Sequence, residues 1–478
     1  MSAESSKVLR KKFFLYPLGP KSFRLLGYLP RFRRDEINYL NNIYKQYGEL
    51  VSLPFLGKRQ IAVFGADYVR KILLAPEAEV YKTALAGFRL LTSTFGGKGI
   101  LNTIGAEHAQ HRKILQNAFS NQYLKRYQSV MAEVAANSLT TWRVGSEIDI
   151  VPEIRKITKK IAIGYLFGTE LIDKKNEFIS AMDSITAILD VPVKTVLSSI
   201  IPYDIPLISA GGTVSKLLSI INNWLTSHIT TIKGDKGSSL AQCIYMARDV
   251  NEKWDINTVR DNLIQLYMTG YETTSCSIIW TLYLLAQHPH VCRKLLKELY
   301  TKTSSDHPSL DELEQMNYLD MVVKESLRLY PTGLYGYRKS AVEMVLGKHC
   351  FPPDTIFLYS PWITHHIPAL FPDPYTFSPE RFQGDDKLMK GSYLPFGMGS
   401  RACLGMRFSL IQIKTVVSAI LKCFRLDILP NQHIGMTIRQ GIQLVPGLKV
   451  LISKQDGQTE KSKATIYGKV VAGTTYNS

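Results

Sequence analysis

The chain has 478 residues, 45% of them hydrophobic, with 58 Lys and Arg against 40 Asp and Glu and a formal net charge of +18. Length alone suggests about three domains, yet no Pro/Gly/Ser-rich linker or charge run divides it, so one large domain is expected. The charge favours acidic partners or anionic surfaces. Zinc spacing, an RNA-binding signature and a basic-aromatic stripe are all missing, and nucleic acid is set aside. The six cysteines (Cys243, Cys276, Cys292, Cys350, Cys403 and Cys423) are scattered without a C-x-x-C pair. This argues for a reducing compartment and against a disulfide scaffold or a zinc site.

Residues 1–20 read as a basic, loosely ordered lead containing Lys7, Arg10, Lys11 and Lys12. Its apolar piece, Phe13 to Tyr16, is too short for a membrane span or a signal h-region. The expected location is cytoplasmic without a transmembrane helix, with peripheral membrane contact left open. Residues 21–454 form the expected domain. Glu36 to Tyr47 has helical spacing, and Leu50 to Phe64 reads as a hairpin turning at Gly57-Lys58. Asp67 opens a helical stretch. Phe88 to Ile104 is Gly-rich and apolar, a mobile loop. Helical periodicity dominates His108 to Leu299, and Asp311 to Tyr330 is a further helix stopped by Pro331. Arg338 to Leu358 reads as short strands with turns at Gly347 and Pro352-Pro353. Leu404 to about Leu421 is helical, and 455–478 is a polar, solvated tail. The fold class is mainly α with a small β-rich part.

Several constellations carry chemistry. His108 and Arg112 lie four apart on one helix, where a basic solvated face is the plain alternative. Thr269-Gly270-Tyr271-Glu272-Thr273-Thr274 lies inside an apolar run from Leu263 to Ala286. Gly costs about 1 kcal/mol there against Ala, and a buried carboxylate costs several unless paired. The alternative is that Thr bonds the carbonyl four residues back and bends the helix. Glu325 and Arg328, three apart, make an ion pair that alone reads as a surface feature. Pro379-Glu380-Arg381-Phe382 follows. His365-His366 hints at metal, but adjacent strand residues point oppositely. Val191 to Ile208 is apolar yet broken by Pro192, Pro202 and Pro206. It is either a membrane-touching loop or one packed on its own core.

Last comes Phe396-Gly397-Met398-Gly399-Ser400-Arg401-Ala402-Cys403-Leu404-Gly405. A lone buried cysteine is usually a small core residue. Gly397-x-Gly399-x-x-Ala402 also matches a dinucleotide fingerprint, which requires a preceding strand and an acid about 20 positions on. Neither is evident. The glycines let backbone approach a flat group without a Cβ clash, and a helix N-terminus favours a thiolate.

The ten-residue segment resembles the F-G-x-G-x-R-x-C-x-G signature of the cytochrome P450 family, and the other motifs occur in that family's order. The resemblance spans roughly Leu18 to Val450. It implies haem b ligated by Cys403, with Phe396 shielding the sulfur. His108, Arg112, Arg338 and Arg401 would face the propionates, with His365 a weaker candidate. Glu325, Arg328 and Arg381 would form a buried triad locking the cysteine loop. Glu272 and Thr273 would relay protons to bound dioxygen. Phe88, Leu90, Leu91, Phe95, Met268, Thr269, Leu334, Tyr335 and the Gln440-Gly441-Ile442 turn would line the pocket for an apolar, lipid-like, terpenoid or steroid-like substrate. The implied reaction is monooxygenation, with electrons from a separate acidic ferredoxin- or flavoprotein-type partner, since only 75 residues follow Cys403 (478 − 403). Lys113, Lys125, Arg126, Arg407 and Lys414 are the expected docking cations. A haem-thiolate isomerase or dehydratase of lipid hydroperoxides, and a non-catalytic haem- or ligand-binding protein, are the alternatives.

Overall fold

The computed structural model describes residues 15–21, 27–55, 58–83, 97–173, 177–189, 211–231, 239–249, 254–305, 308–384, 389–432, 434–438 and 441–457. Most of the basic lead and polar tail, the Val191 to Ile208 segment, Gln440 and the pocket candidates Phe88, Leu90, Leu91 and Phe95 lie outside the described residues.

Helices dominate, and their ends follow local chemistry. Asp149 starts the Ile150–Phe167 helix by accepting the Val151 N–H, and Gly168 ends it. Asp255 does the same for Ile256–Gly270 through the Thr258 N–H at 2.8 Å. Such caps satisfy N–H groups that a helix start leaves orphaned. The stretch read as one helix from Asp311 to Tyr330 is two pieces, Leu310–Glu314 and Asn317–Leu329, the first begun by a capping box at Ser309. The long apolar run is likewise split, into Ile256–Gly270 and Glu272–Gln287, at Tyr271. Hydroxyls bond back across the break: Thr273 donates to the Thr269 carbonyl at 2.9 Å and Thr274 to the Gly270 carbonyl at 3.0 Å. Back-bonding of this kind is a known cause of helix bending.

One large apolar core runs through the helical part. A smaller cluster, with Ile61, Val69, Leu73, Phe351, Phe357 and Leu394, packs against a five-stranded sheet. The sheet order is Leu50–Phe55, Lys58–Val63, Ile356–Tyr359, Gly336–Ser340, Val80–Thr83, with the second and third strands parallel. The first two strands are the expected hairpin, though Lys58 already belongs to the second strand. In the last pairing Lys82 stands opposite Arg338. Directly opposed residues share a sheet face, so two cations meet there. A hairpin of Gly435–Ile438 and Ile442–Val445 brings Ile442 to the Glu272–Gln287 helix, where Trp280 Nε1 donates to its carbonyl at 2.7 Å.

Candidate active site

Glu325 and Arg328 are both completely buried, which removes the reading of a surface pair. Arg328 Nε and Nη2 hold the two Glu325 oxygens at 2.7 and 2.9 Å. Arg381 Nε donates to Glu325 at 2.9 Å, and the Ser378 N–H adds a bond at 3.0 Å. The remaining Arg328 donors reach the carbonyls of His365, Pro374 and Thr376. A buried ion pair is tolerated only when its spare donors and lone pairs are satisfied, and here a whole loop satisfies them.

His365 does not lie among the anion-facing cations. Its Nε2 accepts the Leu394 N–H at 2.7 Å, so Nδ1 carries the hydrogen and donates to the Arg328 carbonyl at 3.1 Å. Complete burial, then the neighbouring His366 and Arg328 charges, hold its pKa well below the usual value. His366 stacks on Trp362 and Tyr375. The two histidines sit at the end of the short Pro361–His365 helix rather than on a strand. No cluster of metal-ligating side chains occurs among the described residues.

The Leu394 peptide leads into the cysteine loop. Gly397 and Gly399 have φ of +69° and +75°, a region that strains other residues. A Cβ at Gly399 would also lie 2.1 Å from the Leu73 carbonyl oxygen. The Cys403 N–H donates to the Phe396 carbonyl at 2.8 Å, and Arg112 Nη1 to the Ala402 carbonyl at 2.8 Å. The following helix is Met406–Cys423. No strand precedes the glycines, so the dinucleotide reading fails for want of its βαβ unit. The Cys403 surface is open, yet the protein around it pushes the thiol up. The Gly405 N–H and Arg112 oppose that shift and do not overcome it.

Beside this loop is an excess of positive charge. Arg338 is buried and lies over the Tyr359 ring. Arg401 donates to the Thr103 carbonyl at 2.6 Å and pairs with Glu77. His108 Nδ1 is 3.4 Å from Glu77, and the Gly105 N–H donates to Glu77 at 3.0 Å. Burial, Arg401, Arg112 and Lys82 hold the His108 pKa down to about 4, against the pull of Glu77. It is therefore neutral at pH 7. Burial, Arg401 and Arg338 push the Lys82 amine down to about 8. Lys82 and Glu77 escaped the sequence reading. Glu77 gave no signal, and Lys82 joins the group only through strand register.

Across from the loop, Gly270 has no room for a side chain, because a Cβ would lie 2.8 Å from the Tyr165 hydroxyl. Tyr165 packs on Phe408 with centroids 4.2 Å apart, and Thr274 Oγ1 is 3.4 Å from Ser409 Oγ. These contacts seat the split helix on the helix that follows Cys403. Thr269 is exposed and Thr273 half-exposed, although their helices are otherwise largely buried. Glu272 is buried and turned to a different partner set, Arg155 at 2.8 Å and Gln443 Nε2 at 2.8 Å. Neither partner was found by sequence. Of the described pocket candidates, Leu334 and Ile442 are buried, and Met268 and Tyr335 half-buried. The Gly441 position touches Cys276 and Thr332.

A family model described as Cytochrome P450 matches residues 17–452. The chain belongs to the cytochrome P450 family. A cyclooctat-9-en-7-ol 5-monooxygenase of Streptomyces melanosporofaciens is 26% identical over 86% of this chain and 90% of its own length. Cytochrome P450 26B1 of Bos taurus is 26% identical over 93% of this chain and 88% of that one. The structure of a retinoic acid-bound cyanobacterial CYP120A1 superposes with a TM-score of 0.81 at 23% identity, covering 93% of this chain and all of that chain. The likeness bears out the expected fold class.

As a cytochrome P450 the protein is an oxidoreductase of the monooxygenase type, and its cofactor is haem. The residues present fit that group. Lys82, Arg338 and Arg112 each lie close enough to Arg401 for their charges to interact, with Glu77 as counter-charge. That imbalance suits the two carboxylates of a porphyrin. The open Cys403 thiol would be the single soft donor for its iron.

Proposed function

We propose that this cytochrome P450 oxygenates an apolar, terpenoid-like small molecule, with Cys403 as the haem ligand and a separate acidic protein as electron donor. The observation that carries the residue roles is the open Cys403 thiol beside an excess of buried and half-buried cations. Bound haem supplies the reductive activation of dioxygen. The chain's own groups do the rest. Arg401, Arg338, Lys82 and Arg112 bind and orient the propionates, with neutral His108 as a hydrogen-bond donor. Phe396, half-buried, shields the sulfur. The Glu325–Arg328–Arg381 group fixes the loop.

Glu272 takes up a proton from solvent when it leaves its ion pair, and Thr273 hands that proton on. The Glu272–Arg155 pair must open for that transfer, since the carboxylate is committed to Arg155 and Gln443. Arg155 is about one-third exposed, which connects the acid to solvent. Thr273→Ala should leave oxygen consumption running while product per oxygen falls at least about tenfold and peroxide rises. Thr273→Ser should restore the ratio. An unchanged ratio in Thr273→Ala would reduce Thr273 to a helix residue.

The apolar substrate class rests on Met268, Leu334, Tyr335 and Ile442, and on a relative named for oxygenating an alkenol. For the donor, three of the expected docking cations are already engaged. Lys125 pairs with Asp311 at 3.1 Å, Arg407 with Glu314 at 3.3 Å and Lys414 with Asp320 at 2.6 Å. Exposed Lys113, beside Arg112, is the better placed contact for an acidic partner. No helix among the described residues is long and apolar enough to cross a membrane. A cytoplasmic or peripheral location is part of the same proposal.

A further inference from the structure

His365 is a fully buried histidine that the reaction does not use, and both ring nitrogens are committed. Its two bonds join the buried ion-pair group to the start of the cysteine loop. On one side is the carbonyl of Arg328, whose guanidinium in turn donates to the His365 carbonyl at 2.9 Å. On the other is the Leu394 N–H. From Leu394 the path runs on without a gap. The Leu394 carbonyl accepts the Gly397 N–H at 3.1 Å, and the Phe396 carbonyl accepts the Cys403 N–H at 2.8 Å. The preceding residue is fixed too: Tyr393 donates to the Lys324 carbonyl at 3.0 Å and stacks on the His365 ring at 5.5 Å.

We propose that His365 is the positioning residue through which the buried Glu325–Arg328–Arg381 group sets the Cys403 loop. The alternative is a histidine that merely fills the core. The two differ in what the ring nitrogens do. A space-filling residue tolerates any ring of similar volume. A positioning residue needs an acceptor at Nε2, because a buried N–H without one costs far more than an exposed one. The proposal rests on Cys403 being the iron ligand.

Three substitutions separate the functions of the ring. H365F keeps the stacking on Tyr393 and removes both hydrogen bonds. H365Q places an oxygen near Nε2 and can still accept from Leu394. H365N keeps a donor near Nδ1 for Arg328 but falls short of Leu394. The reduced carbonyl adduct of each haem-loaded protein is followed until its red-shifted thiolate band decays to the thiol-type band. H365F and H365N should decay at least about tenfold faster than the parent, and H365Q within about threefold of it. Hydrogen exchange at the Leu394 amide is the second readout and needs no haem. It should be protected in the parent and H365Q and faster in H365N and H365F.

If H365F yields no soluble protein, the H365N and H365Q pair decides. Equal decay and equal Leu394 protection in that pair, or a parent-like H365F, would overturn the proposal. A parent with no thiolate band at all would count instead against the Cys403 assignment, so the two failures are distinguishable.

Discussion

Glu325→Ala should lower the unfolding free energy by about 3–5 kcal/mol, the usual cost of stripping one partner from a buried charge pair. Arg328 would keep its charge with no exposure at all, and Arg381 and the Ser378 N–H would lose a shared acceptor. The loop carbonyls of Pro374 and Thr376 would then be held by an arginine without its counter-ion. Denaturant midpoints of the haem-free protein measure this directly. Asp320→Ala is the control, because the Asp320 pairs with Lys324 and Lys414 are partly solvated and such pairs contribute about 1 kcal/mol or less. A Glu325→Ala loss no larger than the Asp320→Ala loss would mean that the triad is not a stabilising element.

Lys82→Met should stabilise the haem-free protein and weaken its hold on haem. The folded amine sits at about 8 because burial and two arginines disfavour its charge. An unfolded lysine sits near 10.4. Between those values the unfolded chain binds the extra proton, so haem-free stability should rise as pH climbs from about 8 to about 10.5. Below 8 both states are protonated and the penalty is present in full. Lys82→Met removes the rise and should add on the order of 1–2 kcal/mol at pH 7, after discounting for partial exposure. Haem transfer to an excess of a competing apoprotein should accelerate at least about tenfold, because a charge-assisted bond to a propionate contributes about 1.5–3 kcal/mol. Unchanged transfer would remove Lys82 from the cofactor site.

Some of this site was legible in the chain and some was not, for physical reasons. The Cys403 segment is contiguous, and its glycines are demanded by positive φ and by the Leu73 carbonyl, so its signal survives in one dimension. Glu325 and Arg328 were visible as a pair but ambiguous, since a solvated and a buried pair share one spacing. What decides is the loop wrapped around Arg328, many residues away. His365 was misread because its neighbours in space, Arg328 and Leu394, are set by packing. Lys82 depends on strand register, and Glu77 on the approach of its loop to the Gly105–Ala118 helix. The break at Tyr271 could have been suspected from Gly270 and the flanking hydroxyls. The turn of Glu272 towards Arg155 could not, because it depends on how the Ile150–Phe167 helix lies against it. The surface cations are a different case: net charge counts Lys125, Arg407 and Lys414 without showing the acids that face them.

The central claim is that Cys403 is the haem ligand, and the carbonyl adduct of the reduced protein tests it most directly. The parent should show the red-shifted Soret band of a thiolate-bound haem. Cys403→Ala should lose it, and Cys403→His should give an imidazole-type spectrum. Substituting Cys243, Cys276, Cys292, Cys350 or Cys423 should leave the band in place. A thiolate band that persists in Cys403→Ala, or vanishes when one of the other five is replaced, would contradict the assignment.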